Sequence, residues 1–334
     1  GKLPDISIAE SLARLPGVSV QRLNGRGQVV NIRGMSPDFS TGLLNGREQV
    51  SVGDNRGVEF DQYPSELLNQ VVVYKTPDAG LIGQGLAATV DLRTVRPLDF
   101  GERALTVDAR YEWLDYDLVS SRDDSGYRFS ATYVDQFLDD TLGLVVGYSH
   151  ATIPSAGQNN NAWGYYVGDG AGNVAIGGGR VWARSSELKR DAFTVSLDWE
   201  PTDQFIATFD AFLTEFDEDQ IKHGLVMNLD GSAMTPISTE NGIVTEGVYA
   251  GNTRLATENN AFVREAEMQS FGANFKYLFN NGWNAMLDLS HSSVDRSDTS
   301  EFESNGALGG AGGLTDVVGF RTGRDGTIFS TQRD

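Results

Sequence analysis

The sequence predicts a mainly β fold: a transmembrane antiparallel β-barrel preceded by a small mixed α/β domain over residues 1–98. Three observations predict it. The first hundred residues mix short helix and strand patterns, the segments after Pro97 alternate apolar and polar residues, and the connections between those segments alternate between short and long. No apolar run approaches the roughly 18 residues that a membrane helix needs, so a membrane location implies a closed barrel.

Charge is distributed unevenly along the 334 residues. Residues 1–100 carry 10 Lys and Arg against 11 Asp and Glu, whereas residues 101–334 carry 16 against 35. Phosphate backbones are bound by clustered Lys and Arg, so nucleic acid is not an expected partner. The absence of cysteine excludes disulfides, thiolate metal sites and a cysteine nucleophile.

The N-terminal domain begins with a helix signal. Ser7 and Glu10 form a capping-box pattern, and the helix is expected to end at Pro16-Gly17. Asn45-Gly46 is a strong hairpin signal, and Pro64 suits the first turn of a second short helix through Leu68. The predicted strands are 18–22, 28–33, 71–75 and 89–94.

After Pro97 the residues alternate with the period of two that strands require. In 103–113 the apolar side chains of Leu105, Val107 and Tyr111 share one face, and charged side chains share the other. The same division recurs in 127–137, 193–199 and 271–279. Short turns are predicted at 138–141, 201–203 and 280–282, and long external loops at 153–186, 217–261 and from 297 onward, which is typical of an outer-membrane barrel.

Six ordered segments of the N-terminal domain resemble a known family. They are Ser-Leu-Ala-Arg-Leu-Pro-Gly-Val-Ser-Val-Gln-Arg (11–22), Asn-Ile-Arg-Gly-Met (31–35), Leu-Leu-Asn-Gly-Arg (43–47), Asp-Gln-Tyr-Pro-Ser-Glu-Leu (61–67), Val-Val-Val-Tyr-Lys (71–75) and Thr-Val-Asp-Leu-Arg-Thr (89–94). The series resembles the plug of TonB-dependent outer-membrane receptors, in the branch abundant in Caulobacter and Xanthomonas relatives. Ala87-Ala88 departs from the paired glycines usual in that family.

The resemblance implies an incomplete barrel. About seven strands are predicted by residue 296, with one more near 315–322, and residues 99–334 would be the N-terminal portion of the barrel. A barrel that encloses a plug needs about 22 strands. The chain is therefore expected to belong to a longer protein.

The resemblance also implies roles for plug residues. Arg33, Arg47 and Arg93 are expected to be structural, with Arg33 and Arg47 in ion pairs inside the plug or to the barrel wall. Segments 34–42 and 50–58 are expected to face an extracellular vestibule, which makes Asp38, Phe39, Asp54, Asn55 and Arg56 candidate ligand contacts, with ordinary solvated turns as the alternative.

Segment 153–186 supplies a second set of candidates. Aromatic rings and amides suit sugar rings, which present an apolar face and hydroxyl edges. The alternative is that the aromatics form a rim at the lipid interface. The candidates are Asn159, Asn160, Asn161, Trp163, Tyr165, Tyr166, Arg180 and Trp182.

The sequence predicts no enzyme, no cofactor and no metal site. His150, His223 and His291 are far apart, and Asp217-Glu218-Asp219 lacks the spacing of a calcium loop. The predicted function is TonB-dependent import across the outer membrane of a Gram-negative bacterium, with an oligosaccharide as the favoured ligand. A ferric-siderophore importer and a non-transporting surface receptor or signal transducer are the alternatives. The implied partners are TonB with its inner-membrane motor, through a TonB box expected upstream of Gly1, outer-membrane lipid and lipopolysaccharide, and a small nutrient.

Overall fold

The computed structural model describes residues 7–23, 26–76, 78–81, 85–115, 124–164, 166–167, 172–229, 234–307, 315–324 and 326–331 of the chain. Within these ranges, no helix combines the length and the apolar character required to cross a membrane.

The predicted first helix is present as α1 (Ile8–Leu12), and it ends before the predicted Pro16-Gly17. It starts after Ser7, whose hydroxyl accepts a hydrogen bond from the backbone N–H of Glu10 at 3.3 Å. The Glu10 carboxylate does not complete the capping box and instead accepts two hydrogen bonds from Arg22 at 2.9 and 3.0 Å. The helix is therefore fixed from two sides, by its own cap and by the adjacent strand.

Two small sheets build the rest of the N-terminal domain. One is an antiparallel pair, and the other has four strands in the order β4-β3-β6-β5 with β3 and β6 parallel. The predicted second helix is only a 3-10 turn, Ser65–Leu67, because Leu68 is already extended and too few residues remain to nucleate an α-helix. The strands are β1 (Val18–Leu23), β2 (Arg26–Ile32), β3 (Ser40–Leu44), β4 (Arg47–Glu48), β5 (Gln70–Tyr74) and β6 (Ala88–Arg93).

A short helix, α2 (Pro97–Phe100), joins this domain to a large sheet. In chain order the remaining strands are β7 (Ala104–Trp113), β8 (Ser125–Phe137), β9 (Leu142–Trp163), β10 (Tyr166–Val167), β11 (Val174–Ala175), β12 (Gly178–Thr202), β13 (Phe205–Asn228), β14 (Met234–Glu240), β15 (Ile243–Leu278), β16 (Asn284–Ala307), β17 (Thr315–Gly323) and β18 (Gly326–Thr331). Seven of them, β7, β8, β9, β12, β13, β15 and β16, pair in that order, each antiparallel to the next. We call this sheet the wall. It is open in the described residues, with β7 and β16 at its edges.

The two faces of the wall have opposite chemistry. On β12, Leu188, Arg190 and Ala192 are buried against the N-terminal domain, whereas Phe193 and Trp199 on the other face are about 40% exposed. The hydrophobic core of the N-terminal domain also includes the wall residues Ala192, Phe212 and Met268. The wall thus presents an apolar outer face and a mixed inner face that packs on the domain, as the strand periodicity predicts.

The connections divide the wall into two ends. At the short-turn end, β8 and β9 are joined through Leu138, Asp139 and Asp140, all three with positive φ, and β15 and β16 are joined through a turn at 279–283. The other end, which we call the hairpin end, carries the connections 114–124, 164–177, 229–242 and 308–314. Short and long connections alternate, as predicted.

The predicted long loops are much shorter than expected. Strand β9 continues to Trp163 and β12 begins at Gly178, so most of 153–186 is strand. Similarly, β13 runs to Asn228 and β15 starts at Ile243 within the predicted loop 217–261. These upper strand segments mix polar residues with apolar ones such as Val181, Met227 and Tyr249, and they lack the regular apolar alternation that predicts a strand.

Candidate functional site

The N-terminal domain is fastened to the wall near the short-turn end by Arg47. Asn45 and Gly46 both have positive φ, which builds the tight hairpin between β3 and β4 and places Arg47 directly after it. Arg47 Nη1 lies 2.6 Å from Asp210 Oδ2, and its Nε and Nη2 donate to the two oxygens of Asp288 at 2.9 and 3.0 Å. The side chain is 8% exposed, so it is a buried cation held by two carboxylates from two wall strands.

The hydrogen bonds of Arg47 also determine the direction in which its pKa is shifted. Burial by itself lowers the pKa of Arg47, but the hydrogen bonds to Asp288 and Asp210 outweigh it, and the pKa is raised overall. Gly272 on β15 lies under the guanidinium, where a Cβ atom would overlap Nη1. A glycine at this position is therefore what lets the plane of the guanidinium lie against the wall.

A second arginine extends this contact. Arg96 Nη1 lies 2.8 Å from Asp210 Oδ1 and 3.7 Å from Asp198. Asp210 also accepts a hydrogen bond from Ser196 Oγ at 2.7 Å. One wall carboxylate thus binds both arginines, so the hairpin and the segment leading to α2 share an anchor.

Midway up the wall the contact is aromatic and contains buried acids. The Tyr63 ring stacks on Phe212 with centroids 5.4 Å apart. Burial, with the nearby charge of Asp61, raises the pKa of Glu59 to about 7, and burial also raises the pKa of Asp61. The pKa of the Tyr63 hydroxyl is raised by burial as well.

Segment 50–58 contacts the wall further toward the hairpin end. Arg296 on β16 binds Asp54 at 2.5 Å and donates to the backbone carbonyl of Val52. Arg296 also lies 3.4 Å from Asp298, which is bound by Arg264 at 3.0 Å. The Asp54 side chain is 81% exposed, so this contact lies at the solvent surface of the domain.

Above this segment, the inner face of the wall carries an aromatic ring flanked by cations. Lys222 Nζ lies 5.6 Å from the Trp182 ring centroid, and the Arg184 guanidinium lies 5.9 Å from it. The register pairs Asn159 with Trp182 and Asn161 with Arg180, and directly paired residues share a face. We call Asn159, Asn161, Arg180, Trp182, Arg184 and Lys222 the upper-wall cluster.

The N-terminal segment matches the family model described as TonB-dependent Receptor Plug Domain over residues 1–90. Residues 1–90 are a TonB-dependent receptor plug domain. The plug is followed by part of a β-barrel wall, and such receptors lie in the bacterial outer membrane.

Solved structures of similar arrangement span more residues than this chain. The siderophore receptor PirA from Acinetobacter baumannii is 14% identical, with 99% of this chain and 56% of that chain covered and a TM-score of 0.38. The copper transporter OprC is 14% identical, with 95% and 48% covered and a TM-score of 0.48. The ferric citrate transporter FecA in its unliganded form is 10% identical, with 97% and 59% covered and a TM-score of 0.39. The chain thus spans about half the length of these structures, and no curated protein sequence matches it.

The plug residues predicted from the sequence occupy different environments. Arg47 binds the wall, and Arg93 binds Asp91 inside the plug at 2.8 Å. Arg33 is exposed at a left-handed turn and forms no ion pair with any residue in the described ranges, so the expected pair is not found there.

The plug candidates for ligand contact are exposed. Asp38 accepts a hydrogen bond from Ser36 at 3.4 Å, and the neighbouring Phe39 is 43% exposed. Asn55 caps its own turn through the backbone N–H of Gly57, and Arg56 is exposed beside it.

The wall candidates do not form one group. Asn160 lies on the face opposite to Asn159 and Asn161, and its amide donates to the backbone carbonyl of Thr327. Trp163 pairs with Gly178 at the start of β12. Tyr166 belongs to β10, although its side chain lies outside the described part, and Tyr165 lies outside the described residues altogether.

Several residues at these contacts were not predicted from the sequence. They are Arg96, Asp198, Asp210, Asp288, Arg264 and Arg296 at the plug–wall contact, and Arg184 and Lys222 beside Trp182. A charged residue at an inward position of an alternating strand was the available signal. Within the described ranges no group of three or more His, Cys, Asp or Glu side chains is placed to hold a metal ion.

Proposed function

We propose that the protein imports a small ligand across the outer membrane by a TonB-dependent movement of the plug. The observation that carries this proposal is the attachment of Arg47 to Asp210 and Asp288, which joins the plug to the wall by hydrogen bonds and charge, beside a small apolar contact around Phe212. When such hydrogen bonds break, the same groups bond to water, so the net cost in free energy is modest. A pulling force can therefore separate the plug from the wall without unfolding the wall. No covalent chemistry is required.

The hairpin end is proposed to be extracellular and the short-turn end periplasmic. Brief periplasmic turns and longer external connections are the pattern of outer-membrane barrels. The apolar outer face, with Phe193, Trp199 and Phe209 exposed, supports contact with outer-membrane lipid, and lipopolysaccharide is the proposed contact at the hairpin end. TonB with its inner-membrane motor is the proposed partner on the periplasmic side.

The upper-wall cluster supports an oligosaccharide as ligand. Trp182 offers a ring face, and Asn159 and Asn161 offer amide donors and acceptors on the same inner face. Sugars present an apolar face and hydroxyl edges that such a surface can bind.

The same cluster favours a second candidate, an anionic ferric chelate. Lys222 and Arg184 lie over Trp182, and cations on an otherwise acidic chain attract an anion locally. The sugar reading depends on the ring and the amides, whereas the chelate reading depends on these two cations.

Whole-cell uptake separates these readings. Labelled neutral oligosaccharides and labelled ferric chelates are supplied to cells that express the full-length receptor, with and without TonB. Uptake that requires TonB supports import, and the ligand class is given by which label enters. Binding at the cell surface without TonB-dependent uptake of either label would indicate a non-transporting receptor or signal transducer instead.

A further inference from the structure

A cavity of about 820 Å³ lies between the plug and the first wall strands. It is separate from the upper-wall cluster, because none of the six residues of that cluster lines it. From the plug it is lined by α1 and the residues beside it, by β1 and β2 and by segment 61–65, and from the wall by β7, β8, β9 and β12. The lining therefore belongs to two bodies that the proposed transport cycle moves apart.

The lining is basic although the chain carries a net charge of −20. Five arginines and three acidic residues line the cavity. They are Arg14, Arg22, Arg26, Arg128 and Arg190, with Glu10, Asp61 and Glu112. Since arginine presents a planar fork of donors, such a surface fits carboxylate or phosphate.

Two deeply buried side chains in this lining have unsatisfied polar atoms. Asp61 is 6% exposed, and neither of its carboxylate oxygens has a hydrogen-bond partner in the described structure. Arg190 is 5% exposed; it donates to the backbone carbonyl of Asp61, while its Nε has no partner. A buried donor or acceptor without a partner is unfavourable, so these atoms favour an occupant that pairs with them.

Arg26 adds a third group of this kind. Its Nη2 lies 2.9 Å from Glu218 Oε2, yet none of its three guanidinium nitrogens has a partner at hydrogen-bonding geometry. Arg26 belongs to the plug, and Arg190 belongs to the wall. The cavity thus offers cationic donors from both sides and a carboxyl group from Asp61.

We propose that this cavity binds a small hydroxylated carboxylate at the plug–wall interface. The carboxylate of the ligand accepts from Arg190 and Arg26, and its hydroxyl groups pair with Asp61. Ile153, Leu188 and Tyr63 supply the apolar surface for the carbon chain. A bare carboxylate leaves Asp61 unpaired, and a neutral polyol leaves the arginines unpaired, so both halves of the ligand are needed.

Binding to the purified full-length receptor tests the proposal without TonB. The probe is D-gluconate, measured by titration calorimetry against acetate, D-glucose and inorganic phosphate. Gluconate is expected to bind with a stoichiometry of one and at least about tenfold more tightly than each of the other three, which corresponds to about 1.4 kcal/mol. Absence of gluconate binding, or equal binding of acetate, glucose or phosphate, would overturn the proposal.

Variants locate the site. Arg190→Met is expected to weaken gluconate binding at least about tenfold, because it removes a charge-assisted donor. Arg321→Met is the matched control. Arg321 lies on β17, is 71% exposed, pairs with Glu246 on the neighbouring strand β15 and does not line the cavity. If Arg190→Met does not fold, Ser65→Gln adds volume to the cavity without removing an ion pair, and it is expected to produce the same loss. Unchanged binding in a folded variant would contradict the assignment. Because no transport step is measured, failure of TonB-dependent uptake and failure of this site are distinguishable.

Discussion

Arg47 of the plug binds both carboxylate oxygens of Asp288 on the last wall strand of the sheet, with Nε to Oδ1 at 2.9 Å and Nη2 to Oδ2 at 3.0 Å. The two residues are 241 positions apart in the chain. A bidentate pair of this kind fixes the orientation of the guanidinium relative to the carboxylate as well as the distance between them. The pair therefore sets the position of the β3–β4 hairpin against the wall, and Asp210 holds the remaining nitrogen.

Replacing Arg47 with methionine is expected to loosen the plug. The change leaves two wall carboxylates without their shared cation, and breaking a partly buried pair in this way costs at least about 2 kcal/mol. Backbone amides of 43–48 should then exchange with solvent about thirtyfold faster in hydrogen-exchange mass spectrometry of the full-length receptor. Arg103→Met serves as control because Arg103 is 72% exposed in its pair with Asp135. Equal exchange in both variants would show that Arg47 does not hold the hairpin.

Gly272 provides an independent test of the same contact. A Cβ atom there overlaps the Arg47 guanidinium, so Gly272→Ala is expected to displace the arginine. The free energy of unfolding should fall by about 1–3 kcal/mol, and the melting temperature should fall with it. Gly323→Ala is the matched control, since nothing lies within 4 Å of its added Cβ atom. A melting temperature unchanged by Gly272→Ala would mean that Arg47 has room to move aside.

The sequence predicts the position of Arg47 in the plug but not its partners. Asn45-Gly46 identifies the hairpin, and the following arginine is then at its exit. Asp210 and Asp288 are inward-facing residues of alternating strands, and this much is also available from periodicity. Which of the inward carboxylates meets Arg47 depends on strand register and on the height of the plug inside the wall, and neither is encoded in a local pattern.

The upper wall shows a different limit of prediction from the sequence. Trp182 and Phe193 lie on the same strand, yet only the segment around Phe193 has the apolar alternation that marks a strand facing lipid. Above the apolar band polar residues interrupt the apolar alternation, so the sequence pattern resembles a loop. The sequence alone therefore groups Asn160 with Asn159 and Asn161, whereas the ladder places it on the opposite face.

Glu59 is expected to make plug stability depend on pH. Burial, together with the charge of Asp61, raises its pKa from 4.5 to about 7, so the folded plug favours the protonated carboxyl. The associated stability is present below about pH 4.5 and is lost as the pH rises through about 7. At pH 8, Glu59→Gln should therefore have a free energy of unfolding about 1–3 kcal/mol higher than the unmodified receptor, and it should melt at a higher temperature. Both differences should vanish near pH 4. The exposed Glu48→Gln is the control, and parallel pH profiles for Glu59→Gln and the unmodified protein would contradict the buried-acid explanation.

Trp182 is expected to carry ligand recognition in the upper wall. Its ring is flanked by Lys222 at 5.6 Å, so Trp182→Ala removes a binding face and also releases a cation. Uptake of the ligand that the cells import in a TonB-dependent manner should fall about tenfold at limiting concentration, because an aromatic contact contributes about 1 kcal/mol or more. Trp199→Phe is the control, since Trp199 lies on the outer face near the short-turn end. Lys222→Ala then separates the ligand classes: it should reduce uptake of an anionic chelate strongly and that of a neutral oligosaccharide little, because only the anion gains from the cation. Normal uptake in Trp182→Ala, with the receptor present at its usual level in the outer membrane, would exclude the upper-wall cluster as the ligand site.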